Sequence, residues 1–444
     1  MEANILKKKY TFRGGTHVDE HKVTATCPIE VMPAPDTVSI PLSQHIGAPC
    51  QPLVKVGDTV LRGQIIGDVV NGALGCPVHS SVSGTVTAID SRNNAQGVAI
   101  SNIIIKNDGN NTPSPDIVPP SKHYTEMTPD EMVEVIRKAG ISGMGGAMFP
   151  TYAKVKSAIG KATHMVINCA ECEPFITADH RMMLERAYSI IGGIRILLHA
   201  LSIKECIIAT EDNKSDAAAE LEEAIGNSSD IRVCLCKTKY PQGDERQLMY
   251  ALFGKELPAG KLPADIGCVL FNCSTCAAVF NAFEYGLPVV ERVVTVTGDC
   301  VADPKNVLAP IGASFLDLIN FCGGLVKTPE KLVSGGPMMG AAQWDINAPV
   351  TKGTSAIITF SREACPQHDV ASVCIRCGRC VKNCPMHLMP NYLVQYAMAY
   401  NYDECAKLGV MSCVECGTCS FNCPGRMMIV QHIRVAKGAL RARK

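Results

Sequence analysis

The sequence predicts an α+β multidomain protein, with an all-β N-terminal part, an α/β centre, a further β segment and a helical C-terminal part. Three observations predict it. Short runs of alternating apolar and polar residues, punctuated by Gly57, Gly63 and Gly84, fill Pro52 to Ile89, the pattern of half-buried strands joined by turns. The helix-like "TPDEMVEVIRKAG" runs into a glycine-rich turn, "GISGMGGAMFPTYAK", at Gly140 to Lys154. Near the C-terminus, two cysteine blocks flank "MHLMPNYLVQYAMAYNYDECAKLGV", whose apolar residues recur at helical intervals and predict an antiparallel helical pair.

Composition sets the outer limits. With 444 residues, 47% hydrophobic and 19% charged, the chain is long enough for two to four domains that each bury a core. Lysine plus arginine and aspartate plus glutamate both count 42, so no global field draws the chain to nucleic acid or anionic lipid. The opening "MEANILKKKYTFRGG" has basic residues but no apolar core or small-residue cleavage site, so it does not read as a signal peptide and a cytosolic chain is expected. The most apolar stretch, Ala187 to Thr210, is interrupted by Arg195, His199, Lys204 and Glu205, too many charges for a lipid-spanning helix. Any membrane association is therefore expected to go through a partner.

Seven segments follow in order. Residues 1–35 read as an N-terminal arm and 36–110 as the all-β domain. Residues 111–124, largely the proline-rich "NNTPSPDIVPPSKH", read as a linker. Residues 125–265 form the α/β domain, 266–345 a helix and β domain, 346–364 a second linker, and 365–444 the helical cysteine-rich domain.

The chain has 23 cysteines, and without an export signal metal is a better explanation than disulfides. Cys374, Cys377, Cys380 and Cys384, then Cys413, Cys416, Cys419 and Cys423, repeat C-x2-C-x2-C-x3-C, and each block is followed by a proline, Pro385 or Pro424. That is the run of two-cluster ferredoxins, in which the fourth cysteine ligates the other cluster. On this rule Cys374, Cys377, Cys380 and Cys423 hold one 4Fe-4S cluster, and Cys413, Cys416, Cys419 and Cys384 hold the second. Tight turns at Gly378 and Gly417 let three thiolates converge on one cube, and the proline redirects the chain so that the fourth points away. Paired zinc sites are the alternative, but zinc needs no third C-x2 step.

The glycine turn alone supports a phosphate role no better than a plain tight turn. Glycines allow close backbone approach and Lys154 and Lys156 supply charge, but the turn fits neither the dinucleotide fingerprint nor the P-loop.

"GMGGAMFPTYAK" resembles the GxGGAxFPTxxK signature of the flavin-binding, NADH-oxidising subunit of respiratory complex I and its relatives. Three more resemblances follow in the same order: "INCAECEPFITADHRMMLE", "YPQGDERQLMYALFGKELPAG" and "FNCSTCAAVFNAFEYGLP". The resemblance implies a Rossmann-like flavin and NADH domain with noncovalent FMN and no obligatory protein acid or base. Gly143, Gly145, Gly146 and Lys154 would hold the FMN phosphate. Asn168, Asn272 and Thr275 would bond the flavin or its ribityl chain, and Glu171, Glu173, Glu245 and Phe149 would face NADH.

Pro52 to Ile89 resembles a biotinyl or lipoyl carrier, a barrel-sandwich hybrid. Its tip "NGALGCPVH" has no modifiable lysine, which leaves a structural or docking role. "FRGGTHVDEHK" resembles the GGxHPxxxK opening of the C subunit of Rnf-type electron-transport complexes, with Val18 in place of the proline. From Pro288, "PVVERVVTVTGDC" through "SFLDLINFCGG" to "SGGPMMG" resembles the soluble-ligand-binding β-grasp (SLBB-like) domain, with a packing role expected.

The order of parts is that of the Rnf C-subunit family. It implies a peripheral, NAD(H)-oxidoreducing subunit of a membrane-bound, ion-translocating ferredoxin:NAD+ oxidoreductase, at the cytoplasmic face. Partners would be membrane subunits and a ferredoxin-like B subunit, with ferredoxin reached indirectly. A cobalamin reductase of diol-utilisation microcompartments shares parts but carries the carrier-like domain at the other end; a non-catalytic iron-sulfur wiring subunit is the third reading. Two C-x2-C pairs stay open: Cys169 with Cys172 and Cys273 with Cys276 sit inside flavin-contact segments, as a further metal site or as packed thiols.

Overall fold

Alternation along the N-terminal strands becomes a sandwich with one buried side. The computed structural model describes residues 10–94, 97–258, 260–365 and 373–443; parts of the expected arm (residues 1–9) and of the cysteine-rich domain (366–372) lie outside them. Strands Thr37–Pro41, Ala99–Asn107, Gly84–Asn93 and Thr59–Val60 pair antiparallel in that order. They face a second antiparallel sheet of Gln51–Pro52, Ile65–Asp68 and Val78–His79. Val38, Ile40, Ile66, Ile103 and Ile105 fill the space between them, fully buried. Gly84 is required by close approach, since a Cβ there would stand 2.0 Å from the Lys106 carbonyl oxygen.

The helix Pro129–Lys138 starts with a capping box between Thr128 and Glu131 and a proline in its first turn. The central sheet is fully parallel, in the order Ile231–Cys236, Cys206–Glu211, His164–Cys169, Cys268–Asn272. The chain moves outward from His164–Cys169 through two strands, then returns to lay Cys268–Asn272 on the other side of the first. The strand order therefore reverses between the ends at Asn168 and Asn272, the crevice where α/β sheets bind ligands.

The apolar stretch near residue 190 is the core helix Ala187–Leu201, packed on the helix Cys273–Tyr285 through two glycines. A Cβ on Gly193 would stand 1.8 Å from the Cys276 carbonyl oxygen. Among the described residues no helix is long and apolar enough to cross a membrane.

The β-grasp sheet has six strands, ordered Ile29–Val31, Lys305–Pro310, Glu291–Gly298, Ala356–Phe360, Lys331–Ser334, Ala341–Gln343. Two expectations are corrected here. Residues 346–364 are no linker, because Ala356–Phe360 lies in the sheet interior, parallel to Glu291–Gly298 and antiparallel to Lys331–Ser334. Residues 1–35 are not wholly an arm either, because Ile29–Val31 adds an edge strand beside Lys305–Pro310. An interior strand is apolar on both faces and shows no alternation, and three residues are too few to show a period. The short helix Phe315–Phe321 forms where expected, capped by Ser314 and Asp317.

At the C-terminus, helices Pro390–Met398, Tyr402–Lys407 and Ile429–Ala442 bury Leu393, Val394, Cys405, Ile429 and Ile433 together. The expected pair between the cysteine blocks gains a third, longer helix as its partner.

Lys352 ties the first three domains together. Its side chain is 1% exposed, and Nζ donates to the Pro77 carbonyl at 2.8 Å and the Gly140 carbonyl at 2.6 Å. Burial and this ammonium push the neighbouring His79 down to about 3, so the imidazole is neutral. Lys352→Met strands two buried carbonyls, and a charge-assisted hydrogen bond is worth about 1.5–3 kcal/mol. The expected outcome is a lower urea midpoint, with a loss of about 3 kcal/mol.

Candidate functional site

The glycine turn closes over the crevice between Asn168 and Asn272. Gly143 N–H donates to the Phe149 carbonyl at 2.9 Å, pinning the turn's base, and Met144 N–H donates to Thr275 Oγ1 at 3.0 Å. Asn272 caps the helix Cys273–Tyr285, accepting from Ser274 N–H at 2.9 Å, while its Nδ2 donates to Asp179 at 2.7 Å. Gly145 passes so close that a Cβ there would stand 3.0 Å from Asn272 Nδ2, whereas Gly146, at φ +95°, has open space beside it. Gly145, Gly146 and Ala147 are exposed. Lys154 reaches the same region, with Nζ 3.1 Å from the Leu270 carbonyl and 3.9 Å from Glu245.

Asn168 Nδ2 donates to the Gly243 carbonyl at 2.8 Å. This hydrogen bond brings the "YPQGDE" segment to the strand end, and Phe149 stands half-buried at the turn's foot. The structure thus gathers Gly143, Gly145, Gly146, Phe149, Lys154, Asn168, Glu245, Asn272 and Thr275 around one crevice. An open glycine backbone, one cation and amide side chains fit a flavin phosphate and its polar chain.

The two remaining acids are placed differently. Glu171 accepts from the Asp179 and His180 amides at 2.6 and 3.2 Å, satisfying donors of a helix N-terminus, and lies 3.8 Å from Lys22. Glu173 accepts from Met338 and Met339 N–H at 3.1 and 2.9 Å. Both carboxylates are held by backbone amides of the protein, Glu171 at a helix N-terminus and Glu173 at the edge of a small cavity that it lines with Cys172 and Tyr240. Glu171 and Phe175 take left-handed backbone, φ 43° and 70°, in the segment that carries both acids.

Three of the four thiols in the two C-x2-C pairs meet, and the fourth turns away. Cys169 and Cys273 lie one residue beyond the paired Asn168 and Asn272, and their thiols are neighbours. Cys276 lies beside Cys169, and all three are fully buried. Cys172 instead accepts from Gly243 N–H at 3.3 Å. Burial pushes Cys172 and Cys276 well above the usual thiol range, and the neighbouring Cys169 thiol together with burial does the same to Cys273, as expected of packed, neutral thiols.

The C-terminal thiols sort across the two blocks. Cys374, Cys377, Cys380 and Cys423 line one cavity, and Cys384, Cys413, Cys416 and Cys419 line another. Both linings are otherwise largely apolar: Ile375, Val394 and Met427 in the first, Leu388, Leu393 and Ile433 in the second. Four convergent thiols in an apolar shell fit a cuboidal iron-sulfur cluster.

The second cavity is bolted to the crevice. Tyr240, 1% exposed, donates its phenol to the Cys416 carbonyl at 2.7 Å, and Gln247 Nε2 lies 3.2 Å from Met386 Sδ. Gly14 and Gly15 wedge between them: a Cβ on Gly14 would stand 2.6 Å from the Cys384 carbonyl oxygen, and one on Gly15 2.6 Å from that of Tyr240. Lys22 donates to the Glu171, Glu173 and Ile176 carbonyls at 3.0, 3.2 and 2.5 Å. The opening motif Gly14 to Lys22 thus holds crevice and thiol cavity together, a role invisible in its spacing. The first cavity points outward: Cys377 is exposed, with Val373 and Ile375 71% and 65% exposed beside it.

Four family models match in chain order. They are described as the RnfC barrel sandwich hybrid domain at residues 10–110, the Nuo51 FMN-binding domain at 136–281, the SLBB domain at 293–342 and the 4Fe-4S dicluster domain at 373–428. The C subunit of the Na(+)-translocating ferredoxin:NAD(+) oxidoreductase complex of Acetobacterium woodii is 42% identical over 439 residues, 98% of each chain. The proton-translocating counterpart of Clostridium ljungdahlii is 42% identical over 435 residues, 97% of this chain and 94% of that one. The C subunit of the ion-translocating oxidoreductase complex of Rhodobacter capsulatus is 40% identical across 98% of this chain and 84% of its own. An NAD+-reducing NiFe-hydrogenase in the H2-reduced state matches with a TM-score of 0.51 at 15% identity, covering 72% of this chain and 62% of that one; this likeness is one of fold.

Proposed function

This chain belongs to the family of C subunits of ion-translocating ferredoxin:NAD+ oxidoreductase complexes, and from that premise we propose that it passes electrons between NAD(H) and iron-sulfur clusters through FMN. It carries an FMN-binding domain and a 4Fe-4S dicluster domain and is a subunit of a multi-subunit oxidoreductase. FMN, when bound, exchanges an electron pair with the nicotinamide as hydride and exchanges electrons singly with iron and sulfur. The chain's residues bind and orient. The open backbone at Gly145 and Gly146, with Lys154, would hold the phosphate. Asn168, Asn272 and Thr275 would hold the ribityl chain and ring edge, and Phe149 and Glu245 would meet NADH.

The observation that carries the reading is the crossed sorting of thiols: each cavity takes three cysteines from one block and the fourth from the other. The cavity of Cys384, Cys413, Cys416 and Cys419 adjoins the flavin domain through Tyr240. That of Cys374, Cys377, Cys380 and Cys423 would therefore face the next carrier. Arg376 lines it, and the adjoining helix Arg379–Lys382 adds two exposed cations. A basic rim around an apolar patch suits an acidic one-electron protein, in this reading the ferredoxin-like B subunit, at the cytoplasmic face of the membrane.

Anaerobic purification with iron, sulfide and flavin quantified, followed by NADH titration under EPR, tests this. About eight irons and one FMN per chain, with NADH-driven bleaching, are expected. Zinc in the thiol cavities, or iron without flavin, would overturn it.

A further inference from the structure

The loop Gly335–Gly340, "GGPMMG", belongs to the β-grasp domain, yet it touches both centres described above. Its amides at Met338 and Met339 are held by the Glu173 carboxylate. Gly336 makes that approach possible, because a Cβ there would stand 2.2 Å from Glu173 Oε2. Gly340 N–H closes the loop on the Gly336 carbonyl at 2.7 Å. On its far side the Met338 carbonyl oxygen sits 2.9 Å from where a Cβ on Gly417 would be, and Gly417 is the turn between Cys416 and Cys419.

One carboxylate in the loop after the flavin-domain strand His164–Cys169 therefore grips a loop from a second domain, and that loop lies on the thiol-bearing turn of a third. Desolvation raises Glu173 to about 7, and the two amides pull it down, so the grip is strongest in the ionised form. The Glu173 carbonyl is itself fixed by Lys22 at 3.2 Å.

We propose that Glu173 is a positioning residue: by holding the Met338 and Met339 amides it seats the 335–340 loop on the Gly417 turn and so sets the surroundings of the cluster at Cys384, Cys413, Cys416 and Cys419. Delivering this loop, rather than binding a soluble ligand, is then the work of the β-grasp domain. The inference rests on the cluster assignment above. Cluster potentials respond to solvent exposure around the sulfurs, and a loop packed on the binding turn limits that exposure.

The test uses the full chain, purified anaerobically, with Glu173→Gln, Glu173→Ala and Gly336→Ala. Hydrogen exchange at the Met338 and Met339 amides is expected to quicken at least tenfold in Glu173→Ala and less in Glu173→Gln, which keeps one acceptor. In EPR redox titrations, the midpoint of the Cys384-containing cluster should rise in Glu173→Ala while that of the Cys377-containing cluster stays put. Gly336→Ala, which pushes the loop away without removing the charge, should move the same midpoint. Full iron with both midpoints unmoved, or with both moving together, would overturn this inference alone. A wild-type chain short of about eight irons would sink the cluster assignment and this inference with it.

Discussion

Cys384→Ala is expected to abolish the iron centre of the other cysteine block. Reading along the chain, Cys384 belongs with Cys374, Cys377 and Cys380, but in space it shares a cavity with Cys413, Cys416 and Cys419. A cuboidal cluster with three thiolates where four are needed is labile, so iron should fall from about eight to about four per chain. The surviving EPR signal should be that of the Cys377-containing centre. Because the lost centre is the one beside Tyr240, NADH should no longer reduce the survivor at a rate near that of the wild type. Cys423→Ala reverses the pattern: the other centre disappears, about four irons remain, and NADH still reduces what is left. Cys405→Ala, in a buried thiol that donates to the Leu393 carbonyl at 3.6 Å and lines neither cavity, leaves about eight irons. Loss of the signal from the mutated residue's own block in Cys384→Ala would refute the crossing.

How much of this was legible in sequence depends on the kind of constraint. The thiol blocks were, because a cube fixes ligand spacing so tightly that spacing alone names the partner across the blocks. The glycine turn was legible as a place but not as a geometry: that Gly145 abuts Asn272 while Gly146 stays open depends on a contact across more than a hundred residues. The partners of the acids were not legible. Glu171 and Glu173 sit in a segment with loop composition, and only the fold shows that the chain turns them inward, onto a helix N-terminus and a β-grasp loop. The strand Ala356–Phe360 was missed because an interior strand has no polar face to alternate with. Lys352 and Lys22 each satisfy carbonyls distant in sequence, and an isolated lysine carries no local sign of such a task.

The crevice makes the last prediction, and it separates flavin binding from everything else. Lys154 reaches into the crevice from the helix Thr151–Ala158 that follows the glycine turn, and its removal takes away a charge-assisted contact to a phosphate, worth about 1.5–3 kcal/mol. At about 1.4 kcal/mol per tenfold, Lys154→Ala should weaken FMN binding by about 10–100-fold, read by flavin fluorescence as free FMN is titrated into deflavinated protein. Iron content should not change, because the thiol cavities lie in a separate domain. Lys154→Arg keeps the charge on a bulkier planar group and should fall between the two. Glu245, 3.9 Å from the Lys154 ammonium, supplies the control. Glu245→Gln removes a negative charge beside the phosphate region, so FMN should bind at least as tightly as in the wild type while the NADH concentration needed for half-bleaching rises. If Lys154→Ala retained FMN with undiminished affinity, the phosphate would have to rest on backbone amides alone. The glycine turn would then be the whole of the anion site, and the lysine only a brace on the Leu270 carbonyl.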